Sequence, residues 1–220
     1  MPDPGKSMDW TRVETWLFDL DHTLYSPHAG ILDQVSVLMT DFIQTRLGVH
    51  RDRAHELRQL YWAQHGATMT GLIREHDVDP DEFLIACHQL DLSALVPDPD
   101  LAHAIDALPG RRLIHTNGPR HHAERLLDQL GLEGHFERII SVEDTGYVPK
   151  PAPAAHQIAV ELATCDPAST AMIDDMVHNL HHPAEMGMTT VWLCHDRDRE
   201  APDHVHHRTS NLVEFLTEIV

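Results

Sequence analysis

The sequence predicts a three-layer α/β fold, a parallel sheet covered by helices on both faces, with an all-helical block inserted after the first strand. Three observations predict it. After residue 98, short apolar runs that read as strands alternate with segments of helical periodicity. Residues 26–97 keep helical spacing throughout and hold no strong strand. Several of the strands end in polar residues, at the edge where open α/β sheets bind their ligands.

Residues 1–11 read as a disordered lead-in containing Lys6. Val13, Trp16, Leu17 and Phe18 make a β-prone run that leads straight into Asp19 and Asp21. Residues i and i+2 of a strand point the same way, so the two carboxylates converge at its carboxyl end. Ile31, Val35, Leu38, Phe42, Ile43 and Leu47 recur at helical spacing before a stop at Gly48. A second helix spans 51–65 and stops at Gly66, a third lies near 81–90, and residues 68–76 connect them as a loop. Prolines at 97 and 99 close the block. Beyond it the expected order is helix 99–108, strand 112–116, a helix reaching Gly131, strand 136–142, helix 151–163, strand 170–173, helix 180–186, a last core strand 190–194 and a closing helix 212–219. The domain reading is a core of residues 12–25 and 98–220 and a helical unit of residues 26–97.

With 220 residues the chain can bury a full core, and its formal charge of −19 argues against a nucleic-acid polymer or an anionic lipid surface as partner. A small phosphorylated molecule is compatible, provided positive charge is supplied locally by a metal, a lysine or helix N-termini. Cys87, Cys165 and Cys194 are widely spaced and form no CxxC, and no apolar run approaches membrane length. The expected setting is a soluble cytoplasmic protein; monomer and dimer both stay open. Fourteen arginines stand against two lysines, so Lys150 is conspicuous.

Four elements carry chemistry. Asp19 and Asp21 need a cation, a hydrogen-bond shell or a shifted pKa to relieve their repulsion, unless they are only a solvated turn. Thr116-Asn117-Gly118 follows a strand and opens a helix, where free N–H groups suit phosphate oxygens, although the tripeptide is also an ordinary turn. Lys150, between Pro149 and Pro151, stands at a helix start that disfavours a cation unless it meets an anion. Asp174 and Asp175 end an apolar strand, with Asn179 a helical turn later, and suit a hard cation such as Mg²⁺. Twenty histidines include the pairs His121-His122 and His181-His182 and the stretch His204–His207. Adjacent histidines do not face one another as i, i+4 ligands do, so these read as bland. Tyr61 and Trp62 read as core of the helical block.

In this order (DxDxT, hhhTNG, KP, hhhDDxxxN) the motifs resemble the haloacid dehalogenase superfamily of phosphohydrolases, with a Rossmann-like core and a C1-type helical cap. The stretches 18–25, 61–76 and 116–123 resemble its pyrimidine 5′-nucleotidase branch. There are departures: His22 stands where Asn is more usual, and Met176 where a small Ser often follows the paired aspartates.

The resemblance implies a Mg²⁺-dependent phosphomonoesterase. Asp19 would attack phosphorus and form an aspartyl-phosphate, and Asp21 would protonate the leaving oxygen and then deprotonate water. It implies a metal held by Asp19, the Asp21 main-chain carbonyl, Asp175 and Asp174. Thr116, Asn117, Gly118 and Lys150 would hold the phosphate, with Asn179 orienting Lys150. The substrate implied is a pyrimidine nucleoside monophosphate, met by His22, Tyr25, Thr70, Gly71, Leu72 and Arg74. A sugar phosphate or phosphoglycolate is the alternative substrate, and a catalytically idle phospho-ligand or partner-binding protein the alternative class.

Overall fold

The computed structural model describes residues 9–196 and 199–220. Six strands, β1 (Thr15–Phe18), β2 (Arg111–His115), β3 (Arg138–Ile140), β4 (Thr170–Asp174), β5 (Thr189–Leu193) and β6 (His207–Thr209), form one sheet in the order β3-β2-β1-β4-β5-β6. Every neighbouring pair is parallel. Strand order switches direction between β1 and β4, so the ligand crevice of such a fold lies beyond their carboxyl ends. Register then fixes which residues meet there. Phe18 pairs with Ile114 and with Ile173, which sets Asp19 beside His115 on one side and Asp174 on the other.

β1 and β4 are buried along their whole length, as strands covered on both faces must be. Alternation divides their side chains. Trp16, Phe18, Ile114, Ile173 and Val191 join one core with α5 (Pro99–Ala107), α6 (Arg120–Gln129) and α9 (Leu212–Glu218). Leu17, Leu113, Met172 and Trp192 face the other layer, which includes α7 (Pro153–Ala163) and residues beside α8 (His181–Glu185).

Between β1 and α5 lie α1 (Ile31–Leu47), α2 (Arg51–His65), α3 (Thr68–His76) and α4 (Pro80–Cys87). Their apolar faces form a cluster of their own, including Ile43, Leu57, Tyr61, Leu72 and Phe83, joined by Val142 from the sheet side. Gly48 and Gly66 end α1 and α2 in the left-handed region, as glycine allows.

Four local expectations need correction. The expected 68–76 loop is helix α3. Gly71 does not break it; the residue lets α3 approach α2, where an added Cβ would lie 2.4 Å from Tyr61 Cβ. The strand expected over 136–142 keeps only Arg138–Ile140, because Phe136 turns its ring onto Phe18 and Ser141 N donates to the Asp144 side chain. The chain also adds an edge strand, β6, beyond the expected last core strand. Finally, the disordered lead-in does not extend to residue 11. Trp10 stacks on Trp16 at 6.0 Å and meets Phe215 edge-on at 5.1 Å. Lys6 and the rest of 1–8 lie outside the described residues. No helix among the described residues is long and apolar enough to cross a membrane.

Gly71→Ala tests the helix contact. Overpacking costs about 1–3 kcal/mol, against about 1 kcal/mol gained in helix propensity, so urea denaturation should show a net loss of stability. A variant at least as stable as the parent contradicts the close approach.

Candidate active site

The site is built on the strand ends that register brings together. Asp19 leaves β1 with its backbone N donating to Ile173 O at 2.8 Å. Lys150 Nζ donates to Asp19 Oδ1 at 2.7 Å, Asp174 Oδ2 at 2.8 Å and the His115 carbonyl at 2.8 Å. All three ammonium protons are therefore engaged, and the side chain is buried. The remaining Asp19 oxygen accepts from Thr23 Oγ1 at 3.1 Å. Asp174 Oδ1 accepts from Met176 N at 2.8 Å and from Asn179 Nδ2 at 2.9 Å. Asn179 thus orients Asp174 and reaches Lys150 through it. The residue that grips Lys150 is Asn117. Its side-chain amide donates to Lys150 O at 3.0 Å, and its Oδ1 accepts from Lys150 N at 2.7 Å. The expected phosphate ligand Asn117 therefore has a side-chain task as well.

Asp21 stands apart from this lysine cluster. Its Oδ1 accepts from Tyr25 OH at 2.7 Å and meets His122 Nε2 at 3.0 Å. Thr116 Oγ1 accepts from Gly118 N at 2.9 Å, which curls the 116–118 turn under Asp21. A Cβ at Gly118 would lie 3.3 Å from Thr116 Oγ1 and 3.5 Å from Asp21 Oδ2.

These environments push the two aspartates apart. Burial raises Asp19 to about 7, with Asp174 and Asp21 adding to it against the opposing pull of Lys150. Burial likewise raises Asp175 to about 8, helped by Asp19 and Asp174. Burial also acts to raise Asp21, but the hydrogen bonds of His122 and Tyr25 outweigh it and hold that carboxyl below its usual range. Burial acts to lower Lys150, yet Asp174 and Asp19 together carry it upward.

Asp19, Asp174 and Asp175 can each place one carboxylate oxygen within 4.8 Å of the others. An all-carboxylate donor set suits a hard cation such as Mg²⁺ rather than a thiophilic one. Three carboxylates beside a single ammonium also leave the cluster short of positive charge, which a cation would relieve.

A cavity of about 750 Å³ opens over this cluster, and Asp19, Asp21, Thr116, Gly118, Lys150 and Asp175 all line it. His22 lines it as well, with Nδ1 3.9 Å from Asp175 Oδ2. Tyr25 instead holds Asp21. Of the expected substrate residues on α3, none lines the cavity: Leu72 is buried in the helical cluster, Gly71 packs on Tyr61, Arg74 is exposed and Thr70 is half-buried. A helix turns about 100° per residue, so only the start of α3 (Thr68 and Met69) reaches the opening. Trp62 is the converse. It is 59% exposed and lines the cavity, whereas its neighbour Tyr61 is core. His122, read as one of a bland pair, is fully buried against Asp21.

A family model for haloacid dehalogenase-like hydrolases matches residues 13–180. The chain belongs to this family. Phosphate metabolism protein 8 of Saccharomyces cerevisiae is 24% identical over 244 residues, covering 99% of this chain and 73% of that protein. The HAD phosphatase from Thermococcus onnurineus superposes with a TM-score of 0.64 at 20% identity, over 94% of this chain and 98% of the other. The HAD-hydrolase YfnB from Bacillus subtilis, solved with magnesium bound, gives a TM-score of 0.60 at 20% identity, over 94% and 99%. Superpositions at these identities establish the shared fold. This haloacid dehalogenase-like hydrolase thus carries its acidic cluster at the switch point of that fold.

The raised carboxylates make cation binding depend on pH. Asp19 and Asp175 titrate near 7 and 8 against an ordinary 3.8, so between about pH 4 and 8 the folded chain holds more protons than the unfolded one. Their contribution to stability is present in acid and is lost as pH rises. A divalent cation competes with those protons, so the rise in Tm caused by millimolar Mg²⁺ should be larger at pH 8 than at pH 5.5. Equal increments at the two pH values contradict a site made of these carboxylates.

Proposed function

We propose that the protein is a Mg²⁺-dependent phosphomonoesterase that works through an aspartyl-phosphate, with a pyrimidine nucleoside 5′-monophosphate as substrate. The observation that carries the chemistry is the convergence of Asp19, Asp21, the Thr116–Gly118 turn and Lys150 in one cavity. The names of the Saccharomyces and Thermococcus proteins, one of phosphate metabolism and one a phosphatase, support the choice of phosphate within the family.

Asp19 attacks phosphorus in line: its carboxylate oxygen bonds to phosphorus as the ester P–O bond breaks. Asp21 gives a proton to the departing oxygen and then takes one from the water that releases phosphate and regenerates Asp19. In the free protein Asp21 is held ionised, the form that takes the proton. An incoming phosphate dianion beside it favours the protonated form, which gives one. Thr116, the backbone of Asn117 and Gly118, and Lys150 hold the phosphoryl oxygens, and to do so Lys150 and the Gly118 N–H each exchange a present acceptor for phosphate. Asp19, Asp174, Asp175 and the Asp21 carbonyl would hold Mg²⁺, which would supply the charge that lets an anionic nucleophile approach an anionic phosphate. Displacing halide from carbon needs no acid at residue 21, so a half-buried, doubly hydrogen-bonded Asp21 favours ester cleavage over dehalogenation.

In this reading residues 12–25 and 98–220 form the catalytic core and residues 26–97 a C1-type cap that selects substrate. A volume of about 750 Å³ exceeds what phosphate alone requires and suits a whole nucleotide. Trp62 and Arg58 stand one helical turn apart on α2 and both line the cavity. Trp62 offers an aromatic face to a base, and Arg58 Nε is a buried donor with no acceptor among the described residues.

Three expectations follow for purified protein assayed with Mg²⁺, with an EDTA control, on UMP, CMP, AMP, phosphoglycolate and glucose 1-phosphate. Release of phosphate should be confined to UMP and CMP and should stop in EDTA. Release from the small phosphates alone moves the substrate to the alternative, and no release from any moves the protein to a binding role. Asp19→Asn should abolish turnover and Asp21→Asn should slow it by about 10² or more. Loss of base stacking in Trp62→Ala is worth about 1–3 kcal/mol, a rise in KM for UMP of about 5- to 150-fold, while ribose 5-phosphate, which has no base, should be unaffected. An equal change for both substrates removes Trp62 from base recognition.

A further inference from the structure

Asp21 is held from one side only. Both described donors to its side chain, Tyr25 OH at 2.7 Å and His122 Nε2 at 3.0 Å, go to the same oxygen, Oδ1. The other oxygen, Oδ2, lies over Gly118, 3.5 Å from where a Cβ would stand. Gly118 makes room for this arrangement, since the same Cβ would come within 3.2 Å of His122 Cδ2.

His122 is itself fixed from several directions. It sits fully buried in the first turn of α6. On its other side the His88 ring packs at 5.1 Å, with His88 Nδ1 bonded to Leu84 O at 2.8 Å. Arg125, one turn further along α6, donates to the carbonyls of His88 and Leu90 at 3.2 and 2.9 Å. A carboxylate is free to turn about its Cβ–Cγ bond unless its oxygens are distinguished. Here a buried imidazole and a phenol distinguish them.

We propose that His122 is a positioning residue for the acid step: with Tyr25 it locks Oδ1 of Asp21, so that Oδ2 alone is presented to the leaving oxygen above the Thr116–Gly118 turn. The inference rests on the reading of Asp21 as the acid. His122 itself touches neither phosphate nor leaving group.

Leaving-group dependence separates such a role from a purely structural one. An acid matters for a poor leaving group, such as the 5′-hydroxyl of UMP, and little for 2,4-dinitrophenolate, which departs without a proton. The quantity to follow is kcat/KM, because it reports on steps up to phosphoryl transfer to Asp19 whatever limits turnover later. His122→Phe keeps the ring volume but removes the donor. It should lower kcat/KM for UMP by about 10²-fold, the scale of general acid catalysis, and for 2,4-dinitrophenyl phosphate by less than about 3-fold. His122→Gln returns an N–H near the position of Nε2 and should recover most of the loss on UMP. In an Asp21→Asn background, adding His122→Phe should cost little more, as expected of two residues acting as one unit.

A His122→Phe defect of equal size on both esters, or one that adds fully to Asp21→Asn, overturns the proposal. If His122→Phe does not fold, Tyr25→Phe removes the partner bond to Oδ1 and must show the same selective loss on UMP; a uniform loss there overturns it equally. Asp21→Asn alone serves as the reference. If that variant is itself insensitive to the leaving group, the reading of Asp21 as the acid fails. If Asp21→Asn is sensitive and His122→Phe is not, only the positioning role fails.

Discussion

The active end of the molecule depends on one buried ammonium. Lys150 Nζ draws Asp19 from β1, Asp174 from β4 and the His115 carbonyl from β2 to a single point. Burying a charge is costly unless it is paired and its protons are satisfied, and here all three protons have oxygen acceptors. Removing the lysine would leave two buried carboxylates facing one another with no cation between them. Such a pair gives little net stability over an apolar replacement, so its value lies in geometry. It sets which Asp19 oxygen is engaged and which way Asp174 points. Asn117 completes the device by gripping the Lys150 peptide at both its N–H and its carbonyl.

The lysine does not neutralise the pocket. Three carboxylates stand beside it, and burial drives Asp19 and Asp175 toward holding protons at neutral pH. A second positive charge that displaces those protons would return both groups to their ionised forms. The chain as a whole, at −19, gives an anionic substrate no long-range attraction. Attraction has to begin inside the cavity, where Lys150 and the start of the 116–118 turn are the sources of positive potential and the acidic cluster offers a place for a cation.

Much of this was legible in the sequence, because strand ends and motif residues are local signals. Asp19, Asp21, Thr116, Asp174 and Asp175 each follow or end an apolar run, and parallel register aligns such ends without further information; Lys150 follows no strand and was marked instead by its rarity, one of two lysines against fourteen arginines. What was not legible depends on pairing across the chain or on the turn of a helix. His122 and Asp21 lie 101 residues apart, and a histidine pair gives no hint that one ring is buried against a carboxylate. Tyr61 and Trp62 are adjacent, so a 100° step puts one in the core and the other on the cavity wall. Gly71 reads as part of a connecting loop, but its missing side chain serves a helix contact visible only once α2 and α3 are packed. Strand β6 has only three residues, partly buried, and carries no apolar run to mark it.

The same local chemistry gives two aspartates, two residues apart, different tasks. Asp19 shares a lysine with other carboxylates and lies where a cation can bind, which suits a group that must carry a phosphoryl and be released from it. Asp21 is separated from that cluster, held by a phenol and an imidazole on one oxygen, which suits a group whose remaining oxygen moves a proton. A carbon–halogen bond needs only the first of these environments. An ester needs both, because its leaving oxygen must be protonated and the water that follows deprotonated. The second environment takes a buried histidine, a buried tyrosine and a glycine that makes room for them. That much structure around residue 21 favours a substrate whose leaving group requires a proton, while Trp62 and Arg58 of the helical insertion line the same cavity.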